Sequence, residues 1–192
     1  MRIDIAVFDG MDELDAVGPL EVLRRAGFDV RLVALDADRA VTCAYGLTIT
    51  ADGAPRSDAE IVVFPGGGWV GRAEKGVRAE VDSKRWEPLI ADASRRGAVL
   101  ASVCTGAMIL ASAGALKGRR ATTHHSAWED LGAAGAATVV RERVVDDGDR
   151  VTAGGVTSGI DLALHLVERF AGKQTADRIA GDLEYRATSP AC

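Results

Sequence analysis

Cys104 stands where an apolar run, Val99-Leu100-Ala101-Ser102-Val103, gives way to Thr105-Gly106 and a second apolar segment. That spacing predicts a tight strand-to-helix turn with the cysteine at its apex, the arrangement of a nucleophile elbow. A helix N-terminus presents unpaired N–H groups and positive potential, and both favour a thiolate. Free cysteine titrates at about 8.5, so only a few per cent is ionised at neutral pH. A helix N-terminus lowers that value to roughly 3.5–7.5. On local pattern alone, a buried core cysteine fits the same residues equally well. Cys43 falls in a hairpin strand and reads as structural, and Cys192, the last residue, as an exposed or disordered thiol.

Three further groups could act with Cys104. Asp15, in Leu14-Asp15-Ala16-Val17-Gly18-Pro19, reads either as an N-terminal helix cap or as a general acid/base. An ionised carboxylate beside the thiol would raise the thiol pKa, whereas a protonated one would donate to a thiolate, and the pair would titrate as a unit. Asp9, Asp12 and Glu13 read as solvated. Gly66-Gly67-Gly68, after Pro65, frees backbone N–H groups to approach an oxyanion, or is simply a flexible turn. The lysine of a phosphate loop is missing. His124-His125 could pair with the cysteine or form a surface hydrogen bond; two adjacent histidines without a clustered third ligand make a weak metal signal. Trp69 is core or the wall of an apolar pocket. His165 reads as structural, and Thr122, Thr123, Thr157 and Ser158 as caps and turns.

The elements that must position these groups follow from periodicity. Ile3 to Phe8, Val30 to Leu35, Ile61 to Phe64 and Ala98 to Val103 read as strands. Val41 to Thr50 reads as a hairpin turning at Tyr45-Gly46, and Thr122-Thr123 as the end of a short strand. Val139 to Val145 and Arg150 to Thr152 read as a strand pair about Asp146–Asp149. Pro19 fits the first turn of a helix that stops at Gly27. Helices are also expected over Trp86 to Ser94, Thr105 to Ala113, Ala127 to Leu131 with Ser126 as N-cap, Gly159 to Phe170 and Thr175 to Leu183. Short strands alternating with helices indicate an α/β fold with a mostly parallel sheet, whose sites lie at the carboxyl ends of the strands. Asp15, the glycine loop and Cys104 all fall at such ends.

Composition sets the outer bounds. A chain of 192 residues predicts one domain over 1–192, with about 187–192 as a flexible tail. Lys and Arg total 23 against 28 Asp and Glu, a formal charge of −5, which argues against nucleic-acid or anionic-membrane partners. Three cysteines without a Cys-x-x-Cys pair argue against a disulfide scaffold or a structural zinc. No signal peptide or membrane span is readable, so a cytoplasmic protein is expected.

Taken together, Leu14-Asp15-Ala16-Val17-Gly18-Pro19, Pro65-Gly66-Gly67-Gly68, Ser102-Val103-Cys104-Thr105-Gly106-Ala107 and Gly118-Arg119-Arg120-Ala121-Thr122-Thr123-His124 resemble the ThiJ/PfpI superfamily. Glu142-Arg143-Val144-Val145, Thr152 to Asp161 and Leu183-Glu184-Tyr185 match it as well, so the resemblance runs from about residue 3 to 186. It implies a single-domain, three-layer α/β sandwich, flavodoxin-like and akin to class I glutamine amidotransferase domains, with a nucleophile elbow. Aspartate before Gly-Pro and Cys-Thr-Gly at the elbow resemble the isocyanide hydratase branch. PfpI-type proteases and amidases carry histidine where Thr105 stands. His125-Ser126-Ala127-Trp128 departs from the commonest hydratase wording.

The resemblance implies Cys104 as nucleophile, Asp15 as general acid/base and Thr105 as a hydrogen-bonding neighbour. The backbone N–H groups of Gly67 and Thr105 would stabilise developing negative charge, and Gly67, Gly68, Trp69 and His124 would form the oxyanion and substrate-binding site. It implies a small-molecule substrate, no metal or organic cofactor, and a homodimer. AraC-type regulators share the Val-Cys-Thr-Gly and Ala-Thr-Thr-His wording, so a ligand- or redox-sensing domain is the second reading. They continue into a DNA-binding region that is not expected after Leu183. A glyoxalase- or deglycase-like enzyme acting on reactive carbonyls is the third.

Overall fold

The computed structural model describes residues 1–36, 39–71, 73–135 and 138–186. The expected tail at 187–192, with Cys192, lies outside the described residues. In chain order the first elements are β1 (Arg2–Ala6), α1 (Glu13–Arg25), β2 (Asp29–Val33), β3 (Ala40–Thr42), β4 (Thr48–Thr50) and β5 (Ile61–Phe64). Then come α2 (Val77–Ser83), α3 (Glu87–Arg95), β6 (Val99–Ser102), α4 (Ala107–Ser112), β7 (Arg120–Ala121) and α5 (Trp128–Ala133). The last are β8 (Thr138–Val139), β9 (Val144–Asp146), β10 (Arg150–Ala153), α6 (Ser158–Ala171) and α7 (Lys173–Asp182).

The main sheet runs β2-β1-β5-β6-β10-β9. Its first five strands are parallel, and β9 closes one edge antiparallel to β10. The strand order reverses between β1 and β5, the switch point of a doubly wound sheet, where ligand sites form. The registers Ile5↔Val63 and Phe64↔Ser102 bring the ends of β1, β5 and β6 close together. β5, β6 and β10 are buried at every residue, as strands covered on both faces must be.

Among the described residues, seven helices flank the sheet. α1 and α6 pack on each other, with α7 against α6; α4 packs against α2 and α5, and α3 against β6. Small residues allow the α1–α6 crossing to be tight: a Cβ added at Gly159 would lie 3.3 Å from the Pro19 ring and from Val103. The mostly parallel α/β sandwich read from the sequence is therefore the observed fold. No helix of the described residues is long and apolar enough to cross a membrane.

Several local expectations are corrected. Pro19 lies inside α1, which starts six residues earlier behind the Asp12 cap, whose carboxylate accepts the Leu14 N–H at 3.1 Å. Its ring serves the crossing with α6 instead of the helix start. α2 has no forecast, because it follows Gly76 without a side-chain cap. Ser126 is not the N-cap of a helix from Ala127: the His124 side chain accepts the Ser126 N–H at the head of a short 3-10 turn, and α5 begins at Trp128. The expected strand Val139–Val145 is split. β8 pairs with β7 in a separate ribbon, and only β9 pairs with β10. The hairpin forms with Val41 opposite Ile49, as a ribbon apart from the main sheet. Cys43 lies in its turn, where its N–H donates to Leu47.

In the middle of β1, Asp4 is wholly buried. It accepts the backbone N–H and the Nε–H of Arg56, both at 2.7 Å, while Arg56 also bonds Asp29 at 2.6 Å. Removing one partner of a buried pair leaves a charge without compensation and costs about 3–5 kcal/mol. Arg56→Ala is expected to lose stability on that scale in urea denaturation at neutral pH, and an unchanged midpoint would show the clamp to be dispensable.

Candidate functional site

Cys104 follows β6 at a turn in which Val103 is extended and Cys104 itself has φ +55°. A non-glycine residue held there costs of order 1–3 kcal/mol, roughly the strain of an elbow that lifts its side chain out of the sheet. Two glycines make room. A Cβ on Gly106 would strike the Phe64 carbonyl, and one on Gly66 would come within 2.5 Å of the Thr105 nitrogen and 2.8 Å of the Cys104 Cβ. The loop after β5 and the turn after β6 thus touch backbone to backbone. The Cys104 N–H donates to the Gly154 carbonyl at 2.7 Å, and its carbonyl accepts the Thr123 hydroxyl at 2.8 Å.

Asp15 lies in the first turn of α1 and is wholly buried. It is not the cap, since Asp12 fills that place. Its Oδ2 accepts the Gly66 N–H at 2.8 Å, and its Oδ1 is buried without a hydrogen-bond partner. Burial pushes the carboxyl up to about 8, against the Gly66 hydrogen bond, and the Asp12 charge adds to the rise. Asp15 is therefore protonated at neutral pH, next to Cys104. Burial likewise pushes the thiol up to about 12, with the Asp15 charge second; the N–H groups of Val156 and Thr105 pull the other way. The expectation of a thiol lowered by the helix N-terminus is corrected: desolvation and the neighbouring acid outweigh the backbone donors. The two acids are one coupled unit, and the proton that leaves first belongs to the pair.

The other sequence candidates are placed as follows. Thr105 is buried, and its hydroxyl accepts the Gly67 N–H at 3.0 Å. That N–H is thereby engaged, and the donors directed at sulfur are Thr105 and Val156. Gly68 packs against the backbone of Lys75 and Gly76. The Trp69 indole donates to Asp130 at 2.6 Å, and the Arg78 guanidinium lies 4.0 Å above its ring. The His124 ring stacks on His125 at 4.2 Å, bonds the Ser126 hydroxyl and lies against Gly155. Burial lowers its pKa. Among the described residues, neither histidine is one of the groups acting on sulfur, so a Cys–His pair is not formed. His165 ties α6 to β9 through Asp146 at 2.7 Å. Asp9 and Glu13 accept backbone N–H groups of the hairpin and are not simply solvated. Cys43 is pushed up to about 11 by burial. No group of three or more His, Cys, Asp or Glu gathers to hold a metal among the described residues.

A cavity of about 400 Å³ is lined by Thr123 and Gly154, which bond the Cys104 backbone, and by His124, Trp128, Arg141 and Val156 among others; Cys104 and Asp15 are not in its lining. Its aromatic wall is Trp128, with Arg141 4.8 Å over the ring, rather than Trp69. Thr123 and Val156 escaped sequence reasoning. Thr123 is adjacent to His124 and shared the motif, but nothing local announces that its hydroxyl reaches Cys104. Val156 acts through its backbone, for which its residue type carries no signal.

Residues 1–169 match the DJ-1/PfpI family. The isonitrile hydratase of Pseudomonas putida is 35% identical, over 99% of this chain and 81% of its own length. The HTH-type transcriptional regulator CdhR of Pseudomonas aeruginosa is 32% identical over 90% of this chain, which spans 51% of that protein. Among solved structures, Drosophila melanogaster DJ-1beta superposes with a TM-score of 0.85 at 26% identity, covering 97% of this chain and 98% of that one.

The buried acid sets a pH dependence of stability. Between its unfolded value near 4 and its folded value of about 8, the folded protein holds a proton that the unfolded chain releases. Stability from this group is thus full at low pH and falls as pH rises through that window. Asp15→Asn keeps an acceptor for the Gly66 N–H and cannot ionise. Its stability relative to wild type is expected to grow from pH 4 to pH 8 in urea titrations; parallel curves would contradict the assignment.

Proposed function

The chain belongs to the DJ-1/PfpI family, and from that premise we propose that it is a cysteine-dependent hydratase that adds water to an isocyanide, releasing an N-substituted formamide. The observation that carries the reading is the wholly buried Asp15 with its unpartnered Oδ1 beside Cys104, a carboxyl that burial pushes up to about 8. A nucleophile alone suits many electrophiles. An isocyanide carbon also needs a proton delivered to it as the nucleophile adds, and Asp15 holds one at neutral pH. The likeness to the P. putida isonitrile hydratase supports the same chemistry.

The reacting form of the pair carries one proton, with sulfur anionic and the carboxyl protonated. Cys104 Sγ bonds the terminal carbon of R–N≡C, and that carbon takes the proton from Asp15. The product is a thioimidate, R–N=CH–S, beside an Asp15 carboxylate. The carboxylate then draws a proton from water as its oxygen attacks the same carbon, and passes that proton to nitrogen. Collapse of the adduct breaks the C–S bond. The hydroxyl proton returns to Asp15, R–NH–CHO leaves, and the thiolate is restored. The Thr105 and Val156 N–H groups stabilise charge on sulfur throughout. Thr105 Oγ1, held by Gly67, fixes the loop above the site. His124 and Trp128 wall the adjoining cavity for the R group, with Gly68 and Trp69 behind the loop. The protein works in the cytoplasm as a homodimer on a small molecule.

A second reading is a ligand- or redox-sensing domain, favoured by the match to CdhR. The discriminating experiment offers the protein an alkyl or aryl isocyanide and, separately, methylglyoxal. Formamide production is expected, abolished in Cys104→Ala and lowered about 10²-fold or more in Asp15→Asn, the usual scale for loss of a general acid/base. Lactate from methylglyoxal would instead mark a carbonyl enzyme, and a reactive thiol without turnover of either would mark the sensor. Because the pair must lose one proton to react, kcat/KM is expected to rise with pH through about 8. Light scattering is expected to give twice the 20.1 kDa of one chain.

A further inference from the structure

Arg143 precedes β9 and reaches both flanks of the turn that faces Cys104. Its carbonyl accepts the Gly154 N–H at 2.9 Å, and its guanidinium donates to Thr157 Oγ1 at 3.2 Å. The same guanidinium grips Asp161 in the first turn of α6 through Nε, at 2.7 Å, and through a second nitrogen. The Tyr185 hydroxyl donates to the same carboxylate oxygen at 2.9 Å. Asp161 is the more buried partner, so the grip is not a fully solvated contact. Between the two points held by Arg143 lies Val156, with φ +31°, a conformation that a β-branched residue adopts only under restraint. Gly154 of this turn takes the Cys104 N–H, and the His124 ring closes on Gly155.

We propose that Arg143 is a positioning residue for Cys104: it clamps the Gly154–Thr157 turn from both sides, so that the strained Val156 N–H stays directed at the sulfur. Among the described residues, the charges that act on the sulfur are those of Asp15 and Asp12 of the α1 region; that of Arg143 is not among them, so its effect passes through the backbone. The clamp rests on Cys104 being the nucleophile of the proposed reaction, and not on which electrophile it attacks.

Two variants separate the clamp from other roles. Arg143→Ala removes the guanidinium. Thr157→Val removes one contact only, and it uncaps nothing, because Thr157 makes no side-chain cap bond to α6. The readout is alkylation of the Cys104 peptide by iodoacetamide, followed by mass spectrometry between pH 7 and pH 10, beside steady-state kinetics with an isocyanide. A lost N–H donor leaves about tenfold less thiolate at a given pH, and the more basic thiolate recovers part of that rate, so alkylation is expected to slow by roughly threefold. Both variants should show the effect, with kcat lowered and KM little changed. Alkylation matching wild type in both variants overturns the clamp, as does a rise in KM alone, which would make Arg143 a substrate contact of the cavity. If Arg143→Ala does not fold, Thr157→Val decides by itself. A wild-type Cys104 that neither alkylates nor turns over isocyanide removes the nucleophile and the clamp together. Alkylation without turnover removes only the hydratase reading.

Discussion

Gly106 lies against the Phe64 carbonyl and Gly66 against the Thr105 nitrogen, with no room for a side-chain carbon between the loop after β5 and the turn after β6. That contact fixes where everything else at the site can be. The Gly66 N–H reaches down to Asp15 and its carbonyl takes the Asp12 N–H, so the same residue ties the head of α1 to the elbow. The Gly67 N–H reaches the Thr105 hydroxyl. Three segments remote in sequence thus meet through backbone groups, and the parallel register of β1, β5 and β6 brings them together.

The electrostatics follow from that closeness. Two acids are buried side by side, and among the described residues none of the groups acting on them is a cation. Burying an unpaired charge is expensive, so the pair keeps protons instead of shedding them. This inverts the simplest picture of a reactive cysteine, in which a helix N-terminus makes a standing thiolate. Here the helix end contributes one sulfur donor, Thr105, and the turn before α6 another, Val156. They set how far the pair's remaining proton leans from sulfur toward carboxyl. The site places an acid beside a thiol, the two groups that the proposed addition to an isocyanide carbon requires.

Much of this was legible in the residues. Apolar strands cut by glycine and followed by amphipathic helices indicate a parallel α/β sheet, and Cys104 between Val103 and Thr105-Gly106 marks the elbow without help from tertiary structure. Asp15 was legible as a partner, though its local sequence allowed a cap, because Asp12 three residues earlier satisfies the same pattern. Pro19 misled because a proline inside a helix is rarer than one at its start; contact with Gly159 is what holds it there. The strand Val139–Val145 divides because its two ends pair with different partners, a choice that periodicity does not encode. Trp69 and the two histidines were assigned by chemistry alone. The structure commits the Trp69 indole to Asp130 and the His124 ring to Ser126. Val156 contributes an amide that every residue but proline possesses, and the fold alone decides which amide faces the sulfur.

The left-handed backbone at Cys104 has a consequence for how this protein changes over generations. Glycine adopts that conformation at no steric cost, so the position best suited to a glycine is occupied by the proposed nucleophile. Random drift and laboratory selection for heat resistance pull position 104 the same way, toward losing its side chain. In the proposed reaction the sulfur is kept against that pull, at a cost in stability that the nucleophile's role offsets.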